Sequence, residues 1–266
     1  MDVSEQTADH GSIEPQHKNF LRSTWPIHWR QAGEFVLAYV VITAVWSAVG
    51  WALTHPWKNS VIARIDLHVA RWFASDNTHS TGVMAKWGAN LAGTITKVTV
   101  TAVVVLVLLF LWKRWFESSV IAMTLILEAA CFVTITSLVG RPRPPVRHLE
   151  NSPISSSFPS GHAAAAAAYG AIAVVIFWHS RKRAVRIATV VITGLICVTV
   201  AVCRMYMGMH YLSDIIAGLL LGTTCVVVTV LIMRGSPEAA VVEHPDHHGD
   251  RTLGSADATV QPLPAH

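Results

Sequence analysis

Apolar runs poor in charge recur along the chain between short polar segments, and six of them are about twenty residues long: 33–53, 93–112, 118–140, 161–179, 187–203 and 212–233. A helix of roughly that length crosses ~30 Å of hydrocarbon. Backbone groups in lipid must be satisfied within their own element, and these runs lack the two-residue alternation of a barrel. The pattern predicts an all-α fold, a polytopic membrane bundle of six transmembrane helices. Between the first two spans, Val61, Ile62, Ile65, Val69, Trp72 and Phe73 recur at helical spacing, with Arg64, His68 and Arg71 on the other positions. That segment is predicted to lie in the membrane interface rather than cross it. Tryptophans gather at span ends (Trp25, Trp29, Trp51, Trp57, Trp112, Trp115), where an amphipathic ring prefers the headgroup layer.

Residues 1–32 are polar and carry Asp2, Glu5, Asp9 and Glu14 ahead of any apolar run, unlike a cleaved signal peptide. They read as a disordered tail, with the first span an uncleaved anchor. Residues 234–266 are rich in Pro, His, Gly and acidic residues without periodicity, a second disordered tail. Its His244, His247 and His248 read as solvated rather than as a metal site. The six-span domain is therefore 33–233.

Composition sharpens this picture. The chain is 52% hydrophobic and 14% charged, with a mean hydropathy of +0.45, which excludes a soluble enzyme, a disulfide scaffold and a disordered protein. The net charge of +4 comes from basic residues flanking spans, with no stripe for nucleic acid. Cys131, Cys197, Cys203 and Cys225 lie in apolar runs without zinc spacing and read as packing residues. Lys113 and Arg114 follow the second span, and Arg181, Lys182, Arg183 and Arg186 follow the fourth; positive loops stay cytoplasmic. Both termini are then cytoplasmic, and the loops after spans one, three and five face outward, although these also carry basic residues.

Three outward segments hold the polar groups that are hardest to explain as structure. Gly140-Arg141-Pro142-Arg143-Pro144 closes the third span; its arginines serve either as headgroup anchors or as anion ligands. Phe158-Pro159-Ser160-Gly161-His162 precedes the alanine run 163–168, with Ser160 as N-cap and Gly161 opening the positive helix end to an anion. Arg204 is followed after five residues by His210, and His210 after three by Asp214. If the last span begins near His210, the i,i+4 spacing sets the carboxylate to hold Nδ1 and to expose Nε2 as a nucleophile.

In these residues the sequence resembles the phosphatidic acid phosphatase type 2 family, lipid phosphate phosphatases related to vanadium haloperoxidases. The family pattern is Lys with Arg-Pro after six further residues, then Pro-Ser-Gly-His, then Ser-Arg, His and Asp at the spacing above. Arg143-Pro144, Pro159 through His162, Arg204, His210 and Asp214 match, within 93–233. Thr136 stands in place of the Lys, and Cys203 in place of the Ser. The resemblance implies that His210 attacks phosphorus, that Asp214 orients it, and that His162 protonates the leaving group. Arg143, Ser160, Gly161 and Arg204 would bind phosphate oxygens, with no cofactor or metal, because arginines neutralise the charge.

Two residues are candidates for the missing cation, Arg141 and Lys97, with snorkelling the simpler account of Lys97. Glu128 reads as a neutral, hydrogen-bonded structural residue, and His148 and Glu150 either contact a headgroup or are solvated. The expected substrate is a lipid whose tail stays in the bilayer while its phosphate reaches the site: a polyprenyl diphosphate, phosphatidic acid or phosphatidylglycerol phosphate, with undecaprenyl diphosphate favoured by analogy. The alternatives are a phosphotransferase using the same histidine and a non-catalytic lipid-phosphate binder or transporter.

Overall fold

The computed structural model describes residues 27–75, 79–112, 115–150 and 156–235. The expected tails, apart from the residues nearest the first and last spans, lie outside these, as do Trp25, the three tail histidines, Lys113 and Arg114. In chain order the helices are α1 (Trp29–Thr54), α2 (Val61–Ser75), α3 (His79–Asn90), α4 (Thr94–Trp112), α5 (Trp115–Val139), α6 (Gly161–Ala168), α7 (Gly170–His179), α8 (Arg183–Tyr206) and α9 (Leu212–Arg234). Among the described residues six segments are long and apolar enough to cross a membrane, and each overlaps a predicted span. This is a multi-span membrane protein. Among the described residues there is no strand.

Helix α5 is central, with Val120, Ile121, Cys131 and Ile135 fully buried against Phe158 and, on α9, Leu221 and Cys225. α6 and α9 approach most closely. A Cβ on Gly218 would collide with the Ser160 carbonyl oxygen, and one on Gly222 with that of Ala164. The alanine run of α6 is buried from Ala163 to Ala168 for the same reason. Lipid offers no hydrophobic gain for bringing two helices together, so association depends on close van der Waals approach, and small residues permit it. By contrast α4 turns Ile95 (84% exposed) and Phe110 (81%) outward, as a lipid-facing helix should.

α6 and α7 form one span, Gly161–His179, interrupted at Tyr169, whose hydroxyl donates to the Leu91 carbonyl at 3.1 Å. α2 occupies the predicted interfacial segment. Its Val61, Ile62, Ile65 and Trp72 are exposed while Asp66 and Ala70 are buried and Val69 and Phe73 pack against the core, so the apolar face is split between surface and bundle and one carboxylate points in. α3 had no signal of its own in the sequence. Its small residues explain it: Ala85 and Ala89 are buried against Met207 and Met209, and Gly88 packs on the Cys203 sulfur. Cys203 is thus a packing residue at the position where the family has Ser.

Replacing Gly222 by Val should separate α6 from α9 and cost about 1–3 kcal/mol. It should be read as a lower unfolding temperature in detergent.

Candidate active site

Construction of the site starts where α5 stops. Gly140 has φ of +59°, a conformation that glycine adopts without a Cβ penalty, and its N–H closes the helix on Thr136 O at 3.4 Å. Beyond it, Arg141-Pro142 runs beside the segment that enters α6: Ser157 N donates to Arg141 O at 2.7 Å and Ser157 Oγ to Pro142 O at 3.1 Å. The Ser157 carbonyl then accepts from His210 Nδ1 at 2.7 Å. One turn of chain thus links the first motif, through the second, to the third. Arg143 adds another tie, donating from Nη1 to Met209 O at 2.5 Å.

A cavity of about 100 Å³ lies between these elements, lined by His162, His210, Arg143, Arg204, Gly161 and Lys97 among others. The three motifs predicted from the sequence do converge. Because Nδ1 faces a carbonyl, it carries the proton, and Nε2 keeps its lone pair. Nε2 lies 3.5 Å from Arg204 Nη2. Arg204 is 3% exposed and pairs through Nη1 with Glu150 Oε2 at 2.6 Å, while its buried Nε has no partner among the described residues. Burial, followed by the charges of Arg204 and Arg143, pushes the His210 pKa well below that of an ordinary histidine. Burial and then Arg204 likewise pull Arg143 down. Both are consequences of placing cations together out of water.

Four sequence expectations need correction. His210 precedes α9, whose N-cap is Tyr211, so the i,i+4 relation to Asp214 does not exist. Asp214 instead accepts from Tyr211 N at 2.9 Å and pairs with Arg141 at 2.5 Å, and the Ser157 carbonyl takes the orienting place. Arg141 is likewise not a cation for the cavity. It is held between Asp214 and Asp66, the latter at 2.9 Å, and lies 4.3 Å over the Tyr211 ring. Burial lowers its pKa, but the two carboxylates outweigh that and raise it.

Ser160 caps α6 by accepting from Ala163 N at 3.4 Å and is fully buried. Neither it nor Asp214 lines the cavity. At Gly161 a Cβ would fall 2.7 Å from the Phe132 ring, so the packing of α5 requires the glycine whether or not a ligand approaches. Lys97, whose simplest account was snorkelling, pairs with Glu128 at 2.7 Å and lines the cavity.

Sequence reasoning missed Asp66, Ser157 and the pairing of Glu150. Asp66 accepts from Ser213 N at 2.9 Å and Ser213 Oγ at 2.5 Å besides Arg141, joining α2 to the start of α9. Its only signal was a single acidic residue in an amphipathic helix, one turn from Ile62 and Val69 at the edge of the apolar stripe. Among the described residues no three His, Cys, Asp or Glu side chains gather as a metal site.

The family resemblance is borne out. The PAP2 superfamily model matches residues 118–237, a segment from α5 to the end of α9 that contains all three motifs but not Lys97 or Asp66. The crystal structure of a transmembrane PAP2-type phosphatidylglycerolphosphate phosphatase from Bacillus subtilis is similar over 76% of this chain and 95% of its own, with TM-score 0.59 and 19% identity. LpxE from Aquifex aeolicus is similar over 62% of this chain and 94% of its own, with TM-score 0.49 and 23% identity. No curated protein matches the chain. The chain has the fold of a PAP2-type membrane phosphatase.

Two outcomes are expected from this geometry. Asp66→Ala strips acceptors from buried Arg141 and Ser213 and should cost on the order of 3 kcal/mol, seen as a lower unfolding temperature. A depressed pKa keeps His210 neutral as pH falls, so its imidazole NMR shifts should show no protonation step between about pH 5 and 8 in the substrate-free protein.

Proposed function

We propose that this chain, whose segment 118–237 matches the PAP2 superfamily, is an integral membrane lipid-phosphate phosphatase working through a phosphohistidine. One observation carries the reading: His210, whose Nδ1 faces a carbonyl, shares a cavity with the buried Arg204, whose Nε has no partner among the described residues. A buried guanidinium donor left without an acceptor is costly unless a ligand supplies one. An anion with tetrahedral oxygens supplies several, and guanidinium binds them in a fork.

In the reaction, His210 Nε2 attacks phosphorus while the bond to the leaving oxygen breaks. His162 gives that oxygen a proton, and a water then cleaves the N–P bond to release phosphate. Arg143, Arg204 and the N–H groups opening α6 at Gly161 hold the equatorial oxygens, where most catalysis of phosphoryl transfer arises. The Ser157 carbonyl fixes the tautomer and bears on the imidazolium that forms. Asp214 acts at one remove, through the Arg141 pair that sets the approach to α9. Glu150, on Arg204 before substrate arrives, gives way to the phosphate. No metal enters this scheme.

In this reading the domain is 33–233 between two tails, and the basic loops favour an extracytoplasmic site with both termini cytoplasmic. The site lies at the outer ends of the helices, so the substrate is a phosphate or diphosphate whose lipid tail stays in the bilayer; an undecaprenyl-type diphosphate fits this well. Detergent-purified protein should release inorganic phosphate from a polyprenyl diphosphate, phosphatidic acid or phosphatidylglycerol phosphate with EDTA present. His210→Ala should lower release by at least ~10³-fold. A phosphorylated acceptor without free phosphate would point to a transferase, and binding without turnover to a carrier.

A further inference from the structure

The wall of the cavity opposite the motifs comes from α4, outside the segment that the family model matches. Lys97 stands on that wall. Its Nζ donates to Glu128 Oε2 at 2.7 Å. Lys97 is 14% exposed and Glu128 fully buried, with the second carboxylate oxygen of Glu128 unpartnered among the described residues. An ammonium has three donors, and Glu128 is the side-chain partner shown for one of them. Lys97 and His162 line the same cavity. On α5, Thr136 brings no cation: its buried Oγ1 has no partner among the described residues, and it does not line the cavity.

We propose that Lys97 is a phosphate-binding residue of this site, contributed by α4, and that Glu128 is its positioning residue. The inference rests on the phosphatase reading. A lysine on a lipid-facing helix has four rotatable carbons and a strong pull toward the headgroups. A buried carboxylate on the neighbouring helix fixes it at the depth of His162. Glu128 is then more than a structural residue, because it sets where the third cation of the clamp stands. The same pairing keeps the carboxylate from being an uncompensated buried charge, so the two residues are tested together.

The full chain in detergent would be compared as wild type, Lys97→Met/Glu128→Gln, Glu128→Gln and His210→Ala. Phosphate release would be measured together with protection from thermal unfolding by orthovanadate, which adopts the five-coordinate geometry of phosphoryl transfer. The double variant removes both charges and should unfold at the wild-type temperature, release phosphate on the order of 10²-fold more slowly, and lose vanadate protection. Glu128→Gln, which leaves the ammonium present but unguided, should lower kcat about tenfold with KM near wild type. Wild-type turnover or wild-type vanadate protection in the double variant would overturn the assignment. If wild type releases no phosphate yet is protected by vanadate, the hydrolase reading falls and the vanadate comparison alone decides Lys97. If wild type shows neither, both fall.

Discussion

Arg141 lies buried between Asp66 and Asp214, at 2.9 and 2.5 Å, and the end of the bundle that carries the cavity is organised around that contact. Its three residues come from the interfacial helix α2, the strap after α5 and the first turn of α9. An isolated charge at this depth would be very costly, so each residue holds the others in place. Ser213 joins through Asp66, and Tyr211 covers the guanidinium face. His210 stands next to Tyr211, and its geometry follows from where this cluster pins the chain.

The cations divide by what neutralises them. Arg141 is paired with two carboxylates and does not line the cavity. Arg204 and Lys97 each have one carboxylate, Glu150 and Glu128, and both line the cavity. Arg143 donates to the Met209 carbonyl and also lines the cavity. Arg143, Arg204 and Lys97 thus gather at the cavity, and burial, followed by the charges of Arg204 and Arg143, lowers the His210 pKa. Dielectric exclusion makes each of these contacts stronger than in water. The depressed His210 pKa and the cation cluster beside it thus arise together from burial of these groups side by side.

Packing within the bundle serves the same end. Gly218 sits against the Ser160 carbonyl and Gly222 against that of Ala164, so α6 and α9 meet almost backbone to backbone. Ser160 N also donates to Asp214 O at 3.0 Å. The helix that carries His162 and the chain that carries His210 are consequently registered to one another by contacts with little freedom to slide. Site precision derives from small residues as much as from charged ones.

Periodicity and charge spacing determined the six spans, the interfacial helix and the residues of three motifs, because each is a local property: an apolar length, a repeat, a fixed offset. The cavity residues Arg143, Gly161, His162, Arg204 and His210 were legible for that reason. Which partner each charge would take was not. His210 and Asp214 share a spacing that suggests a pair, yet the helix starts at Leu212 and the carboxylate turns to Arg141, seventy-three residues away in sequence. Asp66, Ser157 and Glu128 gained their roles from neighbours distant along the chain, and α3 from residues it packs upon. Pairing among buried charges is decided by distance in space and by the cost of leaving any one of them alone, and only the tertiary structure contains that information.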